Sequence, residues 1–230
     1  MNFPEQRILP PDGLSARFAH YSTRYGYLHA VCSFLGRKSF FLWKLLGPVV
    51  TKGYLKKWLA STEFKIVNLG GGSLLYERWL TADVDPRSDA YVDIKKNLPF
   101  QTDSIDVVYL EEVIEHISNP EGIALMQECY RVIKPGGWIR ITTPSLNFFA
   151  QEFFSNPKET RNINEIFRLH GHEHIYSEDE LMGLLSTIGF TKVIPSKYRD
   201  KASRFGSFDT HPERFSFAPP EWSQYWEAEK

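Results

Sequence analysis

The stretch Phe64-Lys-Ile-Val-Asn-Leu-Gly-Gly-Gly-Ser73 limits what this chain can fold into more than any other. Phe64, Ile66, Val67 and Leu69 form a short apolar run, the pattern of a strand covered on both faces. It leads directly into Gly70, Gly71 and Gly72. Without Cβ atoms these residues reach positive φ and let backbone N–H groups approach a ligand closely. A second apolar run, Leu80-Thr-Ala-Asp-Val-Asp85, follows and ends in acid. In nucleotide-binding α/β sheets, an acid at the tip of the second strand accepts hydrogen bonds from ribose hydroxyls. An ordinary glycine turn beside surface aspartates would present the same residues, so the rest of the chain has to decide.

Downstream the pattern alternates. Strands are expected over Phe64–Leu69, about Trp79–Asp83, Ala90–Asp93, Ile105–Leu110 and Trp138–Thr143. A helix is expected to start near Asn119 as N-cap, with Pro120 at its first position, and to stop at Lys134-Pro-Gly-Gly137. Such alternation with apolar strands predicts a parallel sheet covered on both faces. Residues 145–169 read as helical and aromatic with a break at Asn156-Pro157. Ser177-Glu-Asp-Glu180 reads as a capping box opening the helix Glu178–Ile188, closed by Gly189. Phe190–Ile194 and Glu221–Ala228 would be the last strands, joined by the long basic and aromatic loop 197–220.

Residues 1–60 read differently. Leu14–Phe34, Ser39–Leu46 and Val49–Ala60 have helical spacing with many aromatics and bases, punctuated by Gly36, Gly47 and Pro48. They predict a helical N-terminal region, 1–60, packed on the main domain, 61–230, or covering its ligand site. A basic amphipathic surface in peripheral contact with a membrane is the sharper alternative. The apolar window Tyr27–Val50 is interrupted by Arg37, Lys38 and Lys44, which argues against a membrane span. The start lacks the basic and apolar pattern of a secretory signal. The net charge of −1 argues against a nucleic-acid partner held by bulk electrostatics. Cys32 and Cys129 are far apart and show no metal-ligand spacing, which predicts reduced thiols and a cytoplasmic location.

Four segments then fall together: Leu98-Pro-Phe-Gln-Thr-Asp-Ser-Ile-Asp-Val-Val108, Val113-Ile-Glu-His-Ile117, Glu128-Cys-Tyr-Arg-Val-Ile-Lys-Pro-Gly-Gly-Trp-Ile-Arg-Ile-Thr-Thr-Pro144 and Leu181-Met-Gly-Leu-Leu-Ser-Thr-Ile-Gly-Phe190. In this order the chain resembles the class I S-adenosylmethionine (SAM)-dependent methyltransferases, in particular the type 11 group acting on small molecules. The resemblance covers roughly residues 64–190. It implies a Rossmann-like α/β fold with a seven-stranded, mostly parallel sheet and helices on both faces, SAM as cofactor and a small-molecule acceptor. It implies that Gly70 and Gly72, with Gly71 between them, pass beneath the methionine and ribose of SAM. Asp83 would bind the ribose hydroxyls, with Asp85 as fallback on the same strand face. Asp93 and Ile94 would meet the adenine. The backbone of Leu110 and Glu111 would line the sulfonium region. Asn68 departs from the family, which usually carries there an acid that holds the methionine amino group. The short crossover from Gly72 to Asp83 is a second departure, with room only for about a turn of helix over Leu74–Arg78.

Methyl transfer from a sulfonium needs alignment and exclusion of water, and a general base when the acceptor is a hydroxyl. The candidates are His116 and the cluster His170-Gly-His-Glu-His174. Alternating histidines on a strand could meet one metal ion. No carboxylate or cysteine constellation supports that, and SAM chemistry does not need it, so no metal is expected. The resemblance places His172 nearest the acceptor, with His174 second; His116 reads more simply as a helix-start residue. Glu112 is an acceptor contact or a solvated acid. Lys197, Arg199, Lys201, Arg204 and Arg214 would steer an anionic acceptor or be a solvated loop. O-methylation is slightly favoured. The alternatives are a non-catalytic cofactor- or partner-binding module on the same fold and a nucleotide-dependent oxidoreductase. Against the latter, Leu75 stands where the third glycine of Gly-x-Gly-x-x-Gly belongs.

Overall fold

The computed structural model describes residues 7–8, 11–61, 64–158, 160–168, 170–210 and 218–230. The chain divides into two compact units, Met1–Ile94 and Lys95–Lys230. The fold is Rossmann-like α/β with a seven-stranded, mostly parallel sheet.

In the first unit, β1 (Arg7–Ile8) precedes four helices: α1 (Leu14–Tyr25), α2 (Tyr27–Gly36), α3 (Phe40–Val50) and α4 (Lys52–Ser61). Gly26, at φ 93°, breaks the long first helical run in two. Gly47 and Pro48 do not end α3, contrary to the sequence reading; the helix runs through Pro48 to Val50. Gly47 is needed for contact, since a Cβ there would stand 2.7 Å from the Tyr91 ring. The strands are β2 (Ile66–Leu69), β3 (Leu75–Tyr76), β4 (Leu80–Asp83) and β5 (Ala90–Tyr91). β2, β4 and β5 are parallel, with β4 in the middle and Val67 opposite Leu80. All of β2 is buried, as its continuous apolar run requires.

The crossover after the glycines holds no helix. Leu75 and Tyr76 instead pair antiparallel with Ile8 and Arg7. A single helical turn fixes three residues for one hydrogen bond, whereas this pairing buries both side chains. The helices are tied to the strands within this unit by fully buried Asp89. Its carboxylate accepts from Arg24 Nη2 (2.9 Å), Tyr25 Oη (2.7 Å) and the Thr81 N–H (2.8 Å).

In the second unit, β6 (Ile105–Glu111), α5 (Asn119–Val132) and β7 (Ile133–Pro144) form a run of strand, helix and parallel strand, followed by α6 (Leu146–Ser155), α7 (Arg161–Arg168) and α8 (Glu178–Ile188). β8 (Thr191–Ser196) and β9 (Ser223–Glu229) complete the order β6-β7-β9-β8, with β9 antiparallel to both neighbours. The N-cap of α5 is Ser118 rather than Asn119, because Glu121 reaches back to the Ser118 N–H at 3.0 Å. Lys134–Gly137, expected as a helix stop, already belongs to β7. Gly136 N–H and Gly137 O bond the backbone of Lys230 there. The break near Asn156 and the cap of α8, where Ser177 Oγ accepts from the Glu180 N–H, are as expected. At the centre of the antiparallel half, fully buried Arg140 on β7 meets Asp209 at 2.6 Å and Glu227 on β9 at 3.2 Å.

Candidate active site

In the first unit, β2 delivers Asn68 and the glycine bend. Gly70 (φ 71°) and Gly72 (φ 58°) both hold left-handed backbone, which L side chains rarely adopt. Gly71 has to be small for another reason, since a Cβ there would lie 2.2 Å from Asn68 Nδ2. Gly70 N–H donates to Ala82 O at 2.9 Å, and Gly72 N–H donates to Asp83 Oδ2 at 2.7 Å. Two of the three amides are therefore committed inside the unit. What the bend offers a ligand is close approach, with nothing within 4 Å of a Cβ built at Gly72.

Asp83, at the end of β4, is turned onto this bend. Its Oδ1 also accepts from the Asp85 N–H at 2.9 Å. Burial raises the carboxyl above its ordinary range, while the backbone N–H bonds pull it back down. A carboxylate has about four acceptor positions, so these two bonds, with the Val84 N–H also turned to the group, still leave room for a hydroxyl donor. Asp85 is spent differently. Its two oxygens face Arg87, with Nη2 at 2.5 Å and Nε at 2.9 Å. Burial opposes ionisation of Asp85, but the Arg87 bonds outweigh it and the carboxyl is lowered. Asp93 and Ile94 follow β5, both half-buried. Asn68 is 1% exposed, and its Nδ2 has no hydrogen-bond partner. An unpaired buried amide donor is costly without an acceptor, and the carboxylate at the amino-acid end of SAM would supply one. A close-approach bend, an acid with spare lone pairs and a donor lacking an acceptor together fit SAM.

In the second unit, β6 ends in Leu110 and Glu111, both buried. The Glu111 carboxylate accepts from the Thr210 N–H at 2.6 Å and from the Thr210 hydroxyl. Only its backbone is left for the role the resemblance gives it. The next residue, Glu112, holds φ 55° without being glycine, strain of the kind that clusters at functional sites. Its N–H donates to Thr142 O at 2.9 Å, which turns the chain into the segment carrying Glu115 and His116.

Glu112, Glu115, His116, His170 and His172 share a cavity of about 140 Å³, closed on another side by Trp222. The His116 and His172 rings meet edge to face at 4.8 Å, and His170 stands 5.5 Å from His172. Glu115 is fully buried, with one oxygen accepting from Thr143 Oγ1 at 2.9 Å. Burial, and then the neighbouring His116 and His170, push His172 down to about 4, so its imidazole is neutral at physiological pH. His174 is not part of this group; its Nε2 lies 2.8 Å from Glu180. The histidines at 170, 172 and 174 therefore do not converge. Ligand atoms of Glu115, His116 and His172 do lie within 4.8 Å of one another, and these three are the described residues that could take a cation. Sequence reasoning missed Glu115, whose only signal was its place beside His116. Of the basic loop residues, Arg199 donates its N–H to Asp209 at 3.0 Å, and Arg214 falls outside the described residues.

Residues 74–194 match a family described as a methyltransferase domain, more than half of the chain. The chain belongs to this methyltransferase-domain family. Over 107 residues it is 33% identical to a protein of Mycolicibacterium smegmatis named a probable S-adenosylmethionine-dependent methyltransferase. That match takes in 46% of this chain and 36% of the relative, so the chain spans about a third of that protein's length. Among solved structures, a SAM-dependent methyltransferase from Archaeoglobus fulgidus is similar at 12% identity and TM-score 0.49, covering 93% of this chain and 99% of that one. A possible histamine N-methyltransferase from Thermotoga maritima is similar at 17% identity and TM-score 0.47, covering 93% and 97%. Family membership rests on the sequence match. Among the described residues, no helix is long and apolar enough to cross a membrane.

Proposed function

We propose that this chain transfers the methyl group of SAM to a small-molecule acceptor, with a hydroxyl oxygen favoured. The observation that carries the reading is Asp83 folded onto the glycine bend, with acceptor capacity to spare. When bound, SAM supplies a methyl group already activated by its sulfonium. The chain's own residues have the remaining tasks. Asp83 would hold the ribose hydroxyls, and Asn68 would donate to the carboxylate. Asp93 and Ile94 would flank the adenine, and the backbone of Leu110 and Glu111 would line the methionine side. The acceptor would enter the cavity of His116, His170 and His172. There His172, neutral at pH 7, can accept a hydrogen bond from a hydroxyl and so orient it. His174 would act less directly, by fixing the loop to Glu180. The apolar wall of this cavity, which includes Ile166 and Trp222, suits an organic acceptor and helps to exclude water. Buried, unpaired Cys32 and Cys129 support a reducing, cytoplasmic setting.

The test is equilibrium titration with SAM, S-adenosylhomocysteine and NAD, followed by transfer of labelled methyl across a panel of hydroxyl, carboxyl and amine acceptors. Affinity for the first two in the micromolar range, roughly −8 kcal/mol, is expected. Binding of NAD in their place would favour the oxidoreductase alternative. Tight S-adenosylhomocysteine binding without turnover on any acceptor would favour a non-catalytic module.

A further inference from the structure

From Gly13 to Ser61 the sequence has eight lysines and arginines and not one aspartate or glutamate. Of these bases, Arg24 turns inward to Asp89, whereas Lys38, Lys44, Lys52, Lys56 and Lys57 are exposed. The same segment leaves large apolar side chains in the open. In α3 only Trp43 and Gly47, one turn apart, are buried. On the opposite face Phe41, Leu45 and Val49, at i, i+4 and i+8, form one line and are 71%, 59% and 71% exposed. Tyr27, Leu28 and Leu35 of α2 are exposed as well. Apolar residues scattered singly over a surface need no explanation, but an aligned stripe flanked by lysines does.

We propose that the α2–α3 surface docks on an anionic lipid membrane, lying in the interface without crossing it. The 11 residues of α3 extend about 16 Å, roughly half the hydrocarbon thickness of about 30 Å. The stripe of Phe41, Leu45 and Val49 would enter the boundary between headgroups and acyl chains. The lysines beside it would keep their ammonium groups among the phosphates while their stems cover apolar surface. The charge selects the occupant: an acid-free basic segment is attracted to anionic headgroups. A second copy would instead set the same unneutralised bases against each other. This inference does not depend on the methyl-transfer reading.

The test is cosedimentation of the full chain with vesicles of phosphatidylcholine alone and of phosphatidylcholine with phosphatidylserine. Binding roughly tenfold tighter or more to the anionic vesicles is expected, falling severalfold as salt is raised. Phe41→Glu with Leu45→Glu should abolish binding and leave the melting temperature unchanged, because both side chains are already in solvent. Lys38→Glu with Lys44→Glu should weaken binding to the anionic vesicles alone. Failure of the wild-type chain to bind anionic vesicles would overturn the proposal, as would undiminished binding by both double variants. A dimer in solution that Phe41→Glu with Leu45→Glu dissolves, with no vesicle binding, would assign the face to a second copy and overturn it too.

Discussion

Asp83→Ala separates the proposed ribose contact from the support that the same carboxylate gives the fold. In the protein alone, Asp83 accepts two backbone N–H groups, from Gly72 at 2.7 Å and Asp85 at 2.9 Å. The bend is half-open, so water can replace part of each bond. Each bond runs to a charged group, for which about 1.5–3 kcal/mol is usual; with water replacing part of that, about 1 kcal/mol each is lost, or about 2 kcal/mol for the pair. In a domain this size that is a fall in melting temperature of roughly 4–8 °C, so the variant remains folded for binding work. Hydrogen bonds to a charged group contribute about 1.5–3 kcal/mol each. Even one ribose hydroxyl lost therefore weakens S-adenosylhomocysteine binding by at least roughly tenfold, or about 1.4 kcal/mol. Isothermal titration on the folded variant reads this directly. Asp85→Ala is the control. Its carboxylate is already occupied by Arg87, so that substitution should change the affinity by less than about threefold, under 0.7 kcal/mol. Unchanged affinity in Asp83→Ala, or a larger loss in Asp85→Ala, would refute the assignment.

Gly71→Ala would drive a methyl group to 2.2 Å from Asn68 Nδ2 and 2.9 Å from Thr81 Cγ2, both on buried strands. The expected cost is about 1–3 kcal/mol of stability, read by urea denaturation; a loss below experimental error would show that the bend relaxes. Arg140→Ala would leave Asp209 and Glu227 buried without their cation, and about 3–5 kcal/mol should be lost. A midpoint shift corresponding to under about 1 kcal/mol would contradict the buried triad. Burial lowers His29 to about 4, below its unfolded value near 6.5. The unfolded chain thus binds more protons between these values. Stability should rise with pH from about 4 to 6.5 and be flat above from this group, by at most about 3 kcal/mol. His29→Phe should remove that slope and, since neither ring nitrogen has a partner, raise stability at pH 5; an unaltered slope in denaturation curves across pH would count against the burial.

What was legible in the sequence was local. The glycines at 70–72 and the apolar strand before them depend on backbone sterics within ten residues, and they stand where expected. The helix over 178–188 announced itself by Ser177 and Gly189. What was not legible required a distant partner. The crossover after Gly72 became strand because Leu75 and Tyr76 pair with Ile8 and Arg7, far away in sequence. Lys134–Gly137 looked like a helix stop from its proline and glycines, yet Lys230 from the other end of the unit draws it into a ladder. The site shows the same division. His116 and His172 could be named as histidines with chemistry to offer, but that they share a cavity with Glu115 depends on the turn at Glu112. His174, ranked second to His172 from the sequence, is instead engaged by Glu180, six residues on.

The buried guanidinium of Arg140 has a consequence for how the chain is made. Its counter-charge on Glu227 emerges 87 residues later. At ordinary synthesis rates of about 5–20 residues per second, that is a wait of roughly 4–17 s. For that interval β7 has been synthesised but lacks its antiparallel neighbour and one of the two anions that let its arginine leave water. The second unit therefore cannot close before β9 has been synthesised. A chain stopped before Ser223 would hold a β7 edge without its antiparallel neighbour and a buried arginine with one of its two counter-charges missing.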